Sequence, residues 1–130
     1  MRELTSHKVN GLNEKIRILV MDEPGAGNAC HIYRCEYPIP PTSEMELLGE
    51  MEVSNLIRFQ NGPIQESGVN GVSNEALLAI VEDRLLGFQS GQYACRENAI
   101  AVTKIQEAMM WLQKRTRDRV ARGVEGTNQK

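Results

Sequence analysis

The sequence predicts an α+β protein: a small N-terminal antiparallel β-sheet followed by two α-helices, the second long and forming an oligomer core. Short alternating stretches rich in branched residues occur before residue 72, and after it the apolar period changes to about 3.6 residues. At 130 residues the chain is most simply one domain. We divide it into a loose arm (1–14), the sheet (15–72), a helical hairpin (73–122) and a tail (123–130).

Two strands are predicted first, joined by a turn-rich loop. KIRILVM (15–21) alternates and is rich in branched residues, and CHIYRCEY (30–37) has the same character. DEPGAGN lies between them, so the strands are expected to form an antiparallel hairpin. YPIPPTSE ends that hairpin, because proline lacks a backbone donor, and a loop or short helical turn follows through Leu48.

A second hairpin is predicted within SNLIRFQNGPIQESGV. Its two short extended runs flank Asn61 and Gly62. Asn-Gly is a strong hairpin signal, because a type I′ turn needs positive φ at both central residues.

The first long helix is expected over about residues 74–89. Ser73 or Asn74 can cap it, and Glu75 lies in its first turn. Its apolar stripe consists of Leu77, Ile80, Val81, Leu85 and Phe88. Ser90 and Gly91 then supply a stop and a short link.

The second helix is expected from Ala94 to Arg122, with Gly123 just past its end. It would be about 43 Å long, whereas a domain of this size has a radius of gyration of about 14 Å. It carries two apolar lines: Cys95, Ala99, Val102, Ile105, Met109 and Leu112; and Ala94, Ala101, Ala108 and Trp111. Self-association would cover the second line, and wrapping by the chain's own sheet is the alternative.

Charge is distributed unevenly along the chain. Residues 1–92 hold seven Lys/Arg and thirteen Asp/Glu (−6), and residues 93–130 hold eight and four (+4). This pattern favours a local anion site over a protein-wide basic surface. The odd count of three cysteines, with no hydrophobic segment after Met1, predicts a soluble protein of a reducing cytoplasm, without membrane contact.

Three patterns are considered for other chemistry and set aside. The glycine loop at Pro24–Asn28 lacks the third glycine and the following helix of a dinucleotide site, so a hairpin turn is expected there, with a nucleotide-contacting loop as the alternative. Cys30, His31 and Cys35 lack a second ligand pair for zinc. His7 and His31 have no nucleophile pattern around them. We therefore expect no metal, no cofactor and no catalytic residue.

The segment QKRTRDRVARGVEG is the strongest functional signal. Arg115, Arg119 and Arg122 have i, i+4, i+7 spacing and share one helix face, so they could grip phosphates through paired N–H donors. Complementing the helix dipole, with Asp118 paired to Arg115 or Arg122, is the structural alternative. The preference for arginine over lysine favours phosphate binding.

Two further residues complete a predicted nucleotide pocket. Asn98 is expected on an exposed rim near the start of the second helix, and the ring of Phe88 could stack on a base or on an arginine. Asn98 and Arg115 are 17 residues apart, or about 25 Å along a helix. The pocket is therefore expected between two subunits.

The last half of the chain strongly resembles the phage Thoeris anti-defence family of sponge proteins, through GVNG, GFQ, ACREN, RTRDR and RGVEG. The resemblance implies binding of cyclic ADP-ribose-type second messengers made by bacterial TIR-domain enzymes, and their release intact, so that the abortive-infection effector is not activated. It also implies a homodimer that can build into a homohexamer, with a pocket at each end of the dimer interface. In some relatives, extra sites hold cyclic oligonucleotides, such as cyclic di- or trinucleotides.

Carried over residue by residue, the family's ligand contacts fall on Phe88, Asn98, Arg115 and Arg119, with Arg122 and Arg58 as helpers. We therefore expect a non-catalytic sponge in the host cytoplasm, binding no DNA or RNA. Two rival hypotheses are a nucleic-acid-binding module and a hydrolase of the messenger.

Overall fold

The computed structural model describes residues 1–40 and 51–130, so the predicted loop or helical turn through Leu48 lies outside the described residues. A four-stranded antiparallel sheet comes first and helices follow, the last of them long, which confirms the predicted α+β class. The chain divides into two compact units, Met1–Asn61 and Gly62–Lys130, where the sequence analysis expects a single domain.

The strands of the N-terminal unit lie in chain order, each antiparallel to its neighbours. They are β1 (Arg2–Leu4), β2 (Arg17–Val20), β3 (Ile32–Ile39) and β4 (Met51–Arg58). The predicted first hairpin is confirmed as β2 and β3. Leu19 and Val20 are buried, so the branched residues that predicted β2 form the core of this unit.

β3 runs farther than predicted, through Pro38 to Ile39. The pairing with β2 reaches only Glu36, whereas the pairing with β4 continues to Ile39. Proline is tolerated there because, in the described part of the chain, one side of β3 has no partner strand beyond Glu36.

Residues 1–14 do not form the loose arm that the sequence predicts. Their first strand, β1, pairs with β2, and helix α1 spans Gly11–Lys15. The Asn10 side chain caps α1 by accepting from the Asn13 backbone N–H at 3.0 Å. These elements have three and five residues, too few for hydrophobic periodicity to reveal.

The predicted second hairpin is wrong. β4 pairs with β3, and helix α2 (Ile64–Ser67) follows where the next strand was expected. Gly62 has φ +89°, but Asn61 has no positive φ, so no type I′ turn forms. Pro63 explains the difference, because it occupies the position whose N–H would close that turn, and its φ of −66° starts a helix instead.

Two long helices follow, α3 (Asn74–Gln89) and α4 (Arg96–Ala121), as predicted. Ser73 caps α3 by accepting from the Ala76 N–H at 3.1 Å. Gly123 ends α4 at φ +71°. The Gly123 N–H bonds to Val120 O and the Val124 N–H to Arg119 O, both at 3.0 Å, which satisfies the last carbonyls of the helix.

α3 and α4 contact each other, and the first predicted line of α4 is covered from Val102 onwards, while Cys95 and Ala99 are exposed. Val102 is buried, and Ile105, Met109 and Leu112 are partly buried. The predicted stripe of α3 is only partly covered, because Ile80 is 65% exposed. Trp111, at the end of the second line of α4, is 70% exposed. Much apolar surface of these helices thus faces outward.

Candidate functional site

The last turns of α4 carry a cluster of basic side chains on one face. These side chains recur every three or four residues, so the helix places them side by side. With the end of the tail they line an open concavity of about 480 Å³, formed by Trp111, Lys114, Arg115, Asp118, Arg119, Arg122 and Lys130. Small-molecule sites typically have about 300–1,000 Å³. We call this feature the basic concavity.

Positive charge dominates the basic concavity, since five of the side chains that line it are cationic and one is a carboxylate. The carboxylate of Asp118 accepts from Lys114 Nζ at 2.7 Å, and not from Arg115 or Arg122 as the structural alternative proposed. That hydrogen bond, helped by the charges of Lys114, Arg117 and Arg122, holds the pKa of Asp118 below its ordinary value. Among the described residues, Arg115 forms no ion pair with a carboxylate.

Arg119 is buried and held by the tail. Its Nε donates to Glu125 Oε2 at 3.0 Å, and its Nη2 donates to the carbonyls of Val124 and Thr127 at 2.9 and 3.0 Å. Its Nη1 donates to the carbonyl of Gln129. Four of the five guanidinium N–H groups are thus occupied, so Arg119 offers a ligand mainly its charge.

The tail folds back over the end of α4. Arg122 Nη2 donates to the main-chain oxygen of Lys130. Gln65 of α2 donates from its backbone N to Gly126 O and from its side chain to Glu125 O, both at 3.1 Å. Gly126 is buried at φ +81°, where a Cβ would lie 3.1 Å from Gln65. The tail therefore forms a fixed wall beside the basic cluster.

Phe88 and Asn98 lie at the other end of the helical pair. The Phe88 ring is 38% exposed on the last turn of α3, and Arg84 Cζ lies 5.2 Å from its centroid. The ring thus stacks on an arginine in its own helix, one of the two partners expected for it. Asn98 is partly buried in the first turn of α4, not fully on an exposed rim.

The structure brings together three of the five predicted ligand residues, namely Arg115, Arg119 and Arg122. Phe88 and Asn98 are separate from them, because the unbroken helix α4 puts about 25 Å between Asn98 and Arg115. The predicted helper Arg58 is the last residue of β4 and belongs to the N-terminal unit.

Two residues of the basic concavity were missed by the sequence analysis. Trp111 was assigned to an apolar line, and Lys114 was given no role. The signal that could have found them is helical spacing, because Trp111 precedes Arg115 by four residues and Lys114 precedes Asp118 by four.

The cysteine–histidine and glycine-loop patterns of the sequence both lie in the N-terminal unit. Within residues 1–40 and 51–130, no group of three or more His, Cys, Asp or Glu side chains could hold a metal ion. The predicted turn at Pro24–Asn28 connects β2 to β3 through a 3₁₀ turn, Ala26–Asn28, with Gly27 at φ +70°. No described helix has the length and apolarity needed to cross a bilayer.

Comparison with known proteins gives two matches. A family model for the Acb2/Tad1 hairpin domain matches residues 51–117. Thoeris anti-defense 1 from Bacillus phage SBSphiJ7 is 57% identical over 74 residues, which cover 57% of this chain and 52% of that protein. The match thus spans about half the length of this curated relative.

Proposed function

The chain belongs to the Acb2/Tad1 hairpin-domain family, and from that membership we propose that it is a phage anti-defence protein that sequesters a nucleotide signal. The signal we propose is a cyclic ADP-ribose-type second messenger made by a TIR-domain immune enzyme in the host cytoplasm. The family match includes Phe88, Asn98 and Arg115. The name of the phage relative supports an action against the Thoeris system.

The observation that carries the proposal is the basic concavity. A cyclic ADP-ribose isomer presents a pyrophosphate and an adenine. Arg115 offers it a guanidinium that forms no ion pair with a carboxylate of the described residues, and Arg122 lies on the same face. Guanidinium–phosphate hydrogen bonds are strong because both partners are charged. Arg119 adds positive charge while it holds the tail.

Phe88 and Asn98 reach the same ligand from a second copy of the chain. The helical unit leaves large apolar side chains uncovered: Ile80, Val81, Leu86, Ile100, Met110 and Val120 are each at least 41% exposed. Surfaces of this kind are typical of protein contacts. In a homodimer or homohexamer, the α3–α4 turn of one copy would lie against the basic concavity of the other.

The proposed action is stoichiometric binding, not catalysis. To compete with a cellular effector, the affinity should reach about the nanomolar range, which corresponds to roughly 12 kcal/mol. The messenger should be recovered intact by mass spectrometry after heat denaturation of the complex. A cleaved product would instead support a hydrolase.

Calorimetry with cyclic ADP-ribose and its glycocyclic isomers tests the proposal. We expect one of them to bind the unmodified chain and Arg115→Ala to abolish that binding. Arg117→Ala is the matched control, because Arg117 lies on the same turns of α4 but does not line the basic concavity. Absence of binding by every isomer, or equal loss in both variants, would contradict the proposal.

Calorimetry also distinguishes a messenger-binding pocket from the rival hypothesis of a nucleic-acid-binding module, and it tests further ligands. An RNA- or DNA-binding module would show affinity that grows with strand length and falls steeply with salt. A pocket saturates at a fixed number of ligands for each assembly. Cyclic di- and trinucleotides, titrated after saturation with the messenger, reveal whether they bind at separate sites.

A further inference from the structure

Trp111 is an exposed aromatic side chain among charged neighbours. It is 70% exposed, although tryptophan is the largest apolar side chain and is usually well covered. Glu107 and Arg115, four residues before and after it on α4, are both exposed as well. Trp111 is therefore not part of the apolar line by which α4 packs on α3.

The neighbours of Trp111 indicate what it contacts. It lines the basic concavity beside Arg115 and Lys114. An apolar protein surface that covered the ring would also remove these cations from water, at a high cost in free energy unless each found an anionic partner. A nucleotide provides a flat aromatic base and phosphates in one molecule, so it suits the ring and the cations together.

We propose that Trp111 is the stacking platform for the purine base of the bound nucleotide, with Arg115 holding its phosphate. The proposal rests on the proposed function for the identity of the messenger. It adds a ligand-binding residue to those carried over from the family resemblance. A base has two faces, so stacking on Trp111 leaves the second face available to Phe88 of another copy.

The chain itself supplies the probe, because Trp111 is its only tryptophan. Its emission therefore reports on this one position in the unmodified protein. ADP and inorganic pyrophosphate are matched ligands, since both carry two phosphates and only ADP carries a base. We expect ADP to quench the emission and to saturate, whereas pyrophosphate competes with ADP and quenches little. Quenching by ADP that stays linear in concentration is collisional and would overturn the proposal.

Substitution gives a second readout. Trp111→Ala should weaken binding of the messenger about 5- to 150-fold, the range for loss of one base–aromatic stack. Trp111→Phe should recover part of that loss, because a smaller ring still stacks. Gln113→Ala is the control, since Gln113 lies two residues farther along α4, is exposed and does not line the basic concavity.

The outcomes for this inference and for the proposed function are distinct. If calorimetry shows that a cyclic ADP-ribose isomer binds while Trp111→Ala retains full affinity, the stacking platform is wrong and the proposed function stands. If no isomer binds but ADP gives saturable quenching that Arg115→Ala removes, the stacking role of Trp111 stands. The proposed identity of the messenger is then wrong. Emission that changes with protein concentration alone, and not with ADP, would assign Trp111 to a contact between copies.

Discussion

The Nε of Arg119 lies 3.0 Å from the carboxylate of Glu125, six residues later in the chain, and this pair joins the end of α4 to the tail. The guanidinium side chain is only 9% exposed, and it also donates to three carbonyls of the tail. A residue predicted only to bind a ligand therefore also organises the chain around the site.

Replacing Arg119 should release the tail. Arg119→Ala removes the ion pair and the carbonyl bonds, and we expect it to lower the free energy of unfolding by about 1–3 kcal/mol. Hydrogen exchange at residues 124–130 should rise at the same time. Arg119→Lys should not restore protection, because an ammonium cannot reproduce the fork of donors. Unchanged exchange in Arg119→Ala would mean that the contacts with α2 alone hold the tail.

Removing the carboxylate of Asp118 should strengthen anion binding. Asp118→Asn deletes the one negative charge lining the basic concavity and frees Lys114. We expect affinity for the messenger to rise about two- to five-fold at low salt. The gain should shrink in calorimetry at higher salt, because exposed charges are screened. Weaker binding in this variant would assign Asp118 a direct contact with the ligand.

Phe88 should be required for messenger binding but should contribute little to the stability of α3. Its ring is partly exposed and contacts Arg84, an interaction worth about 0.5–1 kcal/mol at exposed sites. We expect Phe88→Ala to abolish messenger capture in calorimetry and to leave the native mass spectrum unchanged. Asp83→Ala is the control, because Asp83 is exposed on the same helix and lacks a ring. Equal loss in both variants would indicate a role of α3 in assembly instead.

The N-terminal unit should lose stability in acid through Asp22. Burial disfavours the charged form of Asp22, but hydrogen bonds from the backbone N–H groups of His31 and Ile32, at 2.9–3.2 Å, outweigh it and hold its pKa below the ordinary 3.8. The folded state therefore binds this proton less readily than the unfolded state does. The resulting stability is complete above pH 3.8 and is lost as the pH falls through the lower folded-state pKa.

Asp22→Asn separates this effect from general acid denaturation. The variant should be less stable than the unmodified chain at neutral pH, and the two thermal midpoints should converge as the pH drops below 3.8. Circular dichroism of the full chain measures the thermal midpoints of both proteins. A constant difference between the two midpoints at every pH would show that the charge of Asp22 is not responsible.

Local signals in the sequence predicted the helical unit well. Ser73 and Gly123 terminate α3 and α4 as their chemistry dictates, because a side-chain cap and a left-handed glycine act within a few residues. Asn61 and Gly62 predicted a hairpin turn that does not form. Such a turn also needs an N–H from the residue that follows Gly62, and Pro63 has none. β1 was missed because only its pairing with β2 makes it a strand.

The site was predictable to the extent that it follows helical spacing. Arg115 and Arg122 share a face because a helix repeats every 3.6 residues or so, and the sequence shows that spacing directly. The burial of Arg119 was not predictable, since it depends on how the tail returns over the helix. Trp111 could have been placed by spacing but was assigned to the apolar line by its hydrophobicity.

Phe88 at the end of α3 and Arg115 in the last turns of α4 are far apart in one chain, which makes complementation between two defective chains possible. In a homodimer that shares its sites, a chain carrying Phe88→Ala and a chain carrying Arg115→Ala would each spoil a different half of the pocket. Mixing the two inactive proteins would rebuild one intact pocket in every heterodimer, in which the sound half of each chain meets the sound half of the other. Two variants that are each unable to bind the messenger would thus, when mixed, regain part of the binding capacity.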